Sequence, residues 1–156
     1  MRASRKILFA AVAGLLAVGG VAAGVPTLGG ARAAGPLVEV WKAASCGCCA
    51  GWVKHMEAEG FAVRVHEVDD VDPVKRANGV PDALGSCHTA VVDGYVLEGH
   101  VPAADVKRLL IERPKAKGLS VPGMPQDAPG MDMKTGQPYE VVLFGDSGGA
   151  SVYARH

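Results

Sequence analysis

The sequence predicts an α/β domain whose elements run βαβαββα, followed by a Pro-, Gly- and Met-rich loop and a closing hairpin. Three observations carry this: short runs of alternating apolar residues, two longer runs with helical spacing, and an Asp-Gly pair between two apolar triplets. Residues 37–41, with Val38 and Val40 set against Glu39, alternate as a strand. From Ala50 the apolar Trp52, Val53 and Met56 fit a helix, which Gly60 closes as a carboxy-terminal cap. Phe61, Val63, Val65 and Val68, interleaved with Arg64 and His66, read as a second strand. Asp72 is expected to cap a short helix with Pro73 at its first position, and Asn78-Gly79 stops it. Residues 90–92 and 95–97 flank Asp93-Gly94, the signature of a hairpin with a two-residue turn. Pro102 opens a helix over 103–112, where Val106, Leu109 and Leu110 share one face, and Pro114 ends it. Residues 115–138 have no period and are expected to lie on the domain as a loop without elements of its own. Residues 140–144 and 150–153 make the last hairpin.

The length of 156 residues suits one domain, and 49% hydrophobic against 21% charged residues excludes a disordered chain. A formal charge of zero and only 5% aromatic residues exclude a phosphate-binding or base-stacking surface, so no nucleic-acid partner is expected. Arg2, Arg5 and Lys6 precede an uncharged run over 7–23, the outline of a secretory signal. Ala31-Arg32-Ala33 offers a small-x-small exit, with Val21-Ala22-Ala23 as second choice. Residues 1–33 are thus read as the signal and 34–156 as the mature domain, with the membrane touched only through the signal. An uncleaved anchor is the alternative, weakened by the Gly and Ala content of the run. Cleavage takes away four of the 16 basic residues and none of the 16 acidic ones, leaving a mildly acidic protein. The expected location is the periplasm.

A cysteine pair at the head of the first helix, then strand, helix, hairpin and helix, is the order of a thioredoxin-like domain. Four short motifs make the resemblance specific: Cys46-Gly47-Cys48-Cys49 with Trp52, Gly85-Ser86-Cys87-His88-Thr89, Glu98-Gly99-His100-Val101-Pro102, and Val121-Pro122-Gly123-Met124-Pro125. In that order and spacing they resemble the CopG-type family of periplasmic copper-handling proteins, over nearly all of the chain from Leu37 to Tyr153. The resemblance implies a thioredoxin-like fold, four cysteines gathered to hold Cu(I), and a role in copper resistance or copper redox exchange.

Cys46 and Cys49 have the spacing of a thiol redox pair, and a helix amino terminus favours thiolate by presenting unpaired N–H groups to sulfur. A plain dithiol oxidoreductase has no use for the intervening Cys48. In the resembled fold the segment entering the third strand faces the cysteine turn and usually carries a cis-proline. Here it reads Ser86-Cys87-His88-Thr89, which puts a fourth soft ligand where thiol exchange would have its guiding proline. Three of four sulfurs within four residues suit a single tetrahedral zinc poorly, whereas Cu(I) accepts two or three sulfurs and tolerates bridging, so a multinuclear copper-thiolate cluster is expected. Were the cysteines oxidised instead, a strained Cys48–Cys49 bridge is disfavoured, and Cys46 or Cys49 is expected to pair with Cys87.

Met124 and Met131 stand in Pro-Gly-Met contexts that suit display from turns, and a thioether binds Cu(I) without losing a proton. They rank above Met133 as ligands, and Met56 is expected in the core. His88 and His100 complete the candidate set, since imidazole binds both copper oxidation states. His55, His66 and His156 are given no site, and the acidic run 67–72 lacks the spacing of a calcium loop. Three functions follow. The first is a copper protein that interconverts Cu(I) and Cu(II), a copper oxidoreductase if it turns over, or passes Cu(I) to efflux or other periplasmic copper proteins. The second is a thiol-disulfide oxidoreductase with Cys46 attacking and Cys49 resolving. The third is a disulfide-stapled binding module.

Overall fold

The computed structural model describes residues 35–131, 133–145 and 149–156, so the expected signal segment lies outside the described residues. Among them the chain forms one seven-stranded sheet and three α-helices. β1 (Leu37–Lys42) buries Val38 and Val40 and turns Glu39 outward, as its alternation dictates. It leads into α1 (Gly47–Ala58), and β2 (Ala62–Glu67) returns parallel to β1 with Val38 opposite Val63. The turn before β2 uses Gly60 at φ +94°, the left-handed conformation expected of a cap glycine.

α2 (Asp72–Ala77) is followed by a single 3₁₀ turn (Asp82–Leu84). Its cap differs from expectation. Asp72 is the first helical residue, and its backbone N–H donates to Asp70 Oδ1 at 2.9 Å, so the carboxylate two residues earlier satisfies the helix end. β3 (Thr89–Val92) and β4 (Tyr95–Glu98) form the antiparallel hairpin, with Asp93 and Gly94 at φ +48° and +86° as a two-residue primed turn requires. α3 (Ala103–Glu112) follows, and Arg113 in left-handed conformation ends it just before Pro114.

The expectation of an element-free loop over 115–138 is corrected at its start. Residues Gly118–Ser120 form a strand, β5, parallel to β4 and antiparallel to β6 (Glu140–Phe144). Three residues are too few to show a period, and the strand depends on a glycine. A side-chain carbon at Gly118 would sit 1.9 Å from the Val96 carbonyl oxygen, so no other residue fits. β7 (Ala150–Arg155) pairs with β6 and completes the order β2-β1-β3-β4-β5-β6-β7.

The main core fills one face, where Val38, Val40, Leu97 and Leu119 of the sheet meet Trp52 and Met56 of α1 and Val106 and Leu109 of α3. α1 and α3 are tied directly: the Ala103 N–H, at the open end of α3, donates to His55 Nε2 at 3.1 Å. Val80, Val96 and Phe144 form a smaller cluster apart from it. Leu97 is fully buried in the main core, so its truncation to Ala would cost about 2–5 kcal/mol. No helix among the described residues is long and apolar enough to cross a membrane.

Candidate metal centre

Three loops converge at the head of α1. Cys46 is its N-cap, with no side-chain hydrogen bond capping the helix, and no acidic residue occupies the first turn. Helical geometry then places Cys48 and Cys49 in that first turn. Cys49 is fully buried, while Cys46 and Cys48 are half-exposed. The segment between the 3₁₀ turn and β3 delivers Cys87, whose Sγ lies 3.5 Å from that of Cys49. Cys46 and Cys48 Sγ are likewise 3.5 Å apart, and all four sulfurs lie within 4.8 Å of one another.

Cys87 also belongs to a second group. Its sulfur, His88 and His100 offer ligand atoms within 4.8 Å of one another. His100 Nε2 is 3.0 Å from Cys87 Sγ, and on the other side its Nδ1–H donates to the Pro129 carbonyl at 2.7 Å. A carbonyl only accepts, so this bond fixes the tautomer and leaves the Nε2 lone pair aimed at the sulfur. His88 is fully buried, with Nδ1 3.5 Å from Cys87 Sγ, and its ring packs at 4.5 Å from Trp52 and 5.1 Å from His100. Its Nε2 makes no hydrogen bond among the described residues. Burial, then His100, Lys75 and Lys42, push the His88 imidazole well below its usual range, so it stays neutral and keeps a lone pair for a metal.

The Cys87 thiol is pushed up to about 11, first by burial and then by Cys48 beside it. At neutral pH it holds its proton unless a metal displaces it. Cys46 and Cys49 are joined in a disulfide with Cα atoms 5.4 Å apart, and Cys48 and Cys87 are free. This corrects the expected pairing with Cys87. The C-x-x-C geometry of one helical turn already brings Cys46 to bonding range of Cys49, which leaves Cys87 beside the bridge. No cis peptide bond occurs among the described residues, so the Ser86-Cys87-His88 turn is all-trans.

The Met-rich loop is laced onto this site at two points. The Gly123 N–H donates to the Gly85 carbonyl at 3.0 Å, and Ser86 Oγ donates to the Gly123 carbonyl, which suspends the exposed Met124 next to the Cys87 turn. Further on, Gly130 packs on the backbone of Gly51, Trp52 and Cys48 so closely that a side-chain carbon there would meet Trp52 N at 2.4 Å. Half-buried Met131 follows it directly. Met133 is exposed and Met56 fully buried in the core. His55 caps α3 and His66 stacks on Trp41, so both have structural partners.

Sequence reasoning passed over Glu98, Lys75 and Pro129. Glu98 is fully buried, pairs with Lys75 at 2.6 Å and lies beside the Cys87 turn. A carboxylate ending a strand of otherwise apolar residues was the available signal. Pro129 acts through its carbonyl, which no side-chain pattern reveals.

The fold and this ligand set define a metal-binding α/β protein with soft donors. A family model described as a protein of unknown function, DUF411, matches residues 84–131, which run from the turn before Cys87 through Met131. No curated protein matches. Two solved structures do: the copper resistance protein CopG in form 2, at 48% identity over 78% of this chain and 98% of that one, with a TM-score of 0.74, and its form 1, at 49% identity over 77% and 96%, with a TM-score of 0.73. The chain belongs to the CopG family of copper resistance proteins.

Proposed function

We propose that this protein is exported to the periplasm, where Cys46, Cys48, Cys49 and Cys87 hold Cu(I) in a multinuclear thiolate site serving copper resistance. The observation that carries this reading is the meeting of four sulfurs within 4.8 Å, with Cys87 shared by a two-histidine group. Thiolates select a soft ion, and sulfurs this close suit bridging between several Cu(I) ions. His88 and His100 supply nitrogen ligands on the Cys87 side, while Met124 and Met131 offer thioethers along the route to solvent. Export rests on the basic start and apolar run of residues 2–23.

The core is read as thioredoxin-like. Support comes from β1 and β2 running parallel, the β3-β4 hairpin antiparallel beside β1, and the cysteine turn between β1 and α1. Such a site can exchange electrons. Oxidising the Cys46 and Cys49 thiolates to their disulfide releases two electrons, enough to take two Cu(II) to Cu(I). Any thiol protons lost in forming those thiolates pass to water. The protein thus interconverts the two copper states or hands Cu(I) on to efflux or other periplasmic copper proteins.

Anaerobic loading of the reduced mature protein with Cu(I), followed by metal counting and sulfur-to-copper absorption, tests the cluster. More than one copper per chain is expected. A ratio below one that is the same in Cys48→Ser ends the proposal.

The Cys46–Cys49 disulfide favours one second reading, a thiol-disulfide oxidoreductase in which half-exposed Cys46 attacks and buried Cys49 resolves. It requires disulfide exchange with a peptide substrate in metal-free buffer and indifference to Cys87→Ser.

A further inference from the structure

Glu98 is a fully buried carboxylate at the end of β4, and its side-chain hydrogen bonds go to the segment that carries Cys87 and His88 and to Lys75. The Ser86 backbone N–H donates to Glu98 Oε1 at 2.6 Å, and the Thr89 hydroxyl donates to Oε2 at 2.7 Å. These two residues bracket Cys87 and His88. Lys75, reaching over from α2 with its side chain 11% exposed, pairs with Oε1 at 2.6 Å and touches Thr89 Oγ1 at 3.3 Å. Both carboxylate oxygens are therefore occupied, and the buried charge is neutralised by a single cation.

Within the bracketed segment His88 is held by its buried ring against Trp52 and His100 and by the Gly99 N–H, which donates to its carbonyl at 2.9 Å, whereas the Ser86 backbone N–H has Glu98 as its partner. The segment lies between a three-residue 3₁₀ turn and the first residue of β3, and Gly85 and Ser86 tie it to the exposed Gly123. A charge-assisted bond to a backbone N–H is among the stronger restraints a turn can have. We infer that Glu98, paired with Lys75, is a positioning residue that clamps the Ser86–Thr89 turn and so sets Cys87 Sγ against Cys49 and His100. Glu98 touches no sulfur and acts only through the turn. The inference rests on the copper reading for its consequence in metal binding, but not for the position of Cys87 itself.

Two measurements separate these. In copper-free protein with the Cys46–Cys49 bridge intact, native alkylation by iodoacetamide, followed by mass spectrometry, compares Cys87 with Cys48. Glu98→Ala should speed Cys87 labelling about tenfold, the loss of one charged hydrogen bond, and leave Cys48 within twofold. Glu98→Gln keeps an acceptor for Ser86 and should restore most of the protection. Should Glu98→Ala strand Lys75 and fail to fold, Glu98→Met combined with Lys75→Met removes clamp and cation together and should give the same selective labelling. In the second measurement the same variants, reduced and loaded with Cu(I), should bind less copper and show a weakened sulfur-to-copper band.

Labelling of Cys87 unchanged in a folded clamp variant overturns the inference, as does an equal rise at Cys48 and Cys87, which marks general loosening. If the wild type itself takes up no Cu(I), the copper reading fails, and the labelling arm still decides the role of Glu98.

Discussion

Replacing Gly130 by Ala tests whether the Met-rich loop is part of the metal centre. The new carbon would meet Trp52 N at 2.4 Å, Cys48 O at 2.7 Å and Gly51 C at 2.8 Å, all backbone atoms of the cysteine helix that cannot swing aside. At φ +84° the Ala backbone is itself strained, by about 1–2 kcal/mol. Overpacking adds about 1–3 kcal/mol, for a total of about 2–5 kcal/mol. The bond from His100 Nδ1 to Pro129 O, one polar tie of this stretch, returns about 0.5–1.5 kcal/mol. The loop should therefore lift off locally while the core stays folded. Gly136→Ala is the control, since it carries a similar φ of +74° with nothing within 4 Å of the added carbon. Thermal melts, Cu(I) titration against a chromophoric chelator and imidazole ¹⁵N shifts should show weakened copper binding and an altered His100 tautomer in Gly130→Ala alone. Wild-type copper affinity and an unchanged His100 signal in Gly130→Ala would refute the reasoning, because the loop would then be a bystander.

Cys87→Ser should lower the copper count and the sulfur-to-copper absorption, since it removes the atom shared by the thiolate and histidine groups, yet leave the Cys46–Cys49 bridge formed; mass spectrometry after native alkylation checks the bridge. Copper affinity should rise with pH. The Cys87 proton, held up to about 11, must leave when copper binds there, so each such proton gives up to about a tenfold gain per pH unit below that value; a Cu(I) competition series with no slope would contradict it. Trp52→Phe should cost about 0.5–1.5 kcal/mol in denaturant melts through loss of the Nε1–H bond to Val101 O at 2.8 Å.

The sequence was most legible where one local rule sufficed. Asp93-Gly94 places its hairpin because two successive positive φ angles admit few other residues, and the spacing of Val106, Leu109 and Leu110 marks α3 because a single face is buried. The site was legible as residue types, since three cysteines in four positions leave few roles. Its wiring was not. β5 exists because Gly118 lets Val96 come close, a fact about a residue 22 positions away. The docking of the Met-rich loop depends on the carbonyl of Pro129 and the bare backbone of Gly130, groups that every chain of any sequence offers somewhere. Glu98 was hidden for a related reason: its partners are a lysine and a threonine on other elements and a backbone N–H, so nothing near it in sequence announces a pair.

On the proposed copper reading the disulfide and the metal compete for the same atoms, and this competition has a measurable sign. Four thiolates within 4.8 Å repel one another, by about 1 kcal/mol per pair even at the dielectric of water and by more inside a protein. The reduced site must relieve that charge, and it has three ways: keep a proton, as Cys87 already does with the bridge formed, take up Cu(I), or lose two electrons and bridge Cys46 to Cys49. Copper that uses Cys46 or Cys49 binds the reduced form only, so it stabilises that form and moves the midpoint potential of the pair upward. For one Cu(I) ion, free at 100 times its dissociation constant, the gain is about 2.7 kcal/mol, or about 60 mV for a two-electron couple. Redox titration of the pair with and without Cu(I) under anaerobic conditions measures this directly. A potential that does not move while copper is bound would mean that Cys46 and Cys49 hold none of it, and the site would shrink to Cys48, Cys87 and the two histidines.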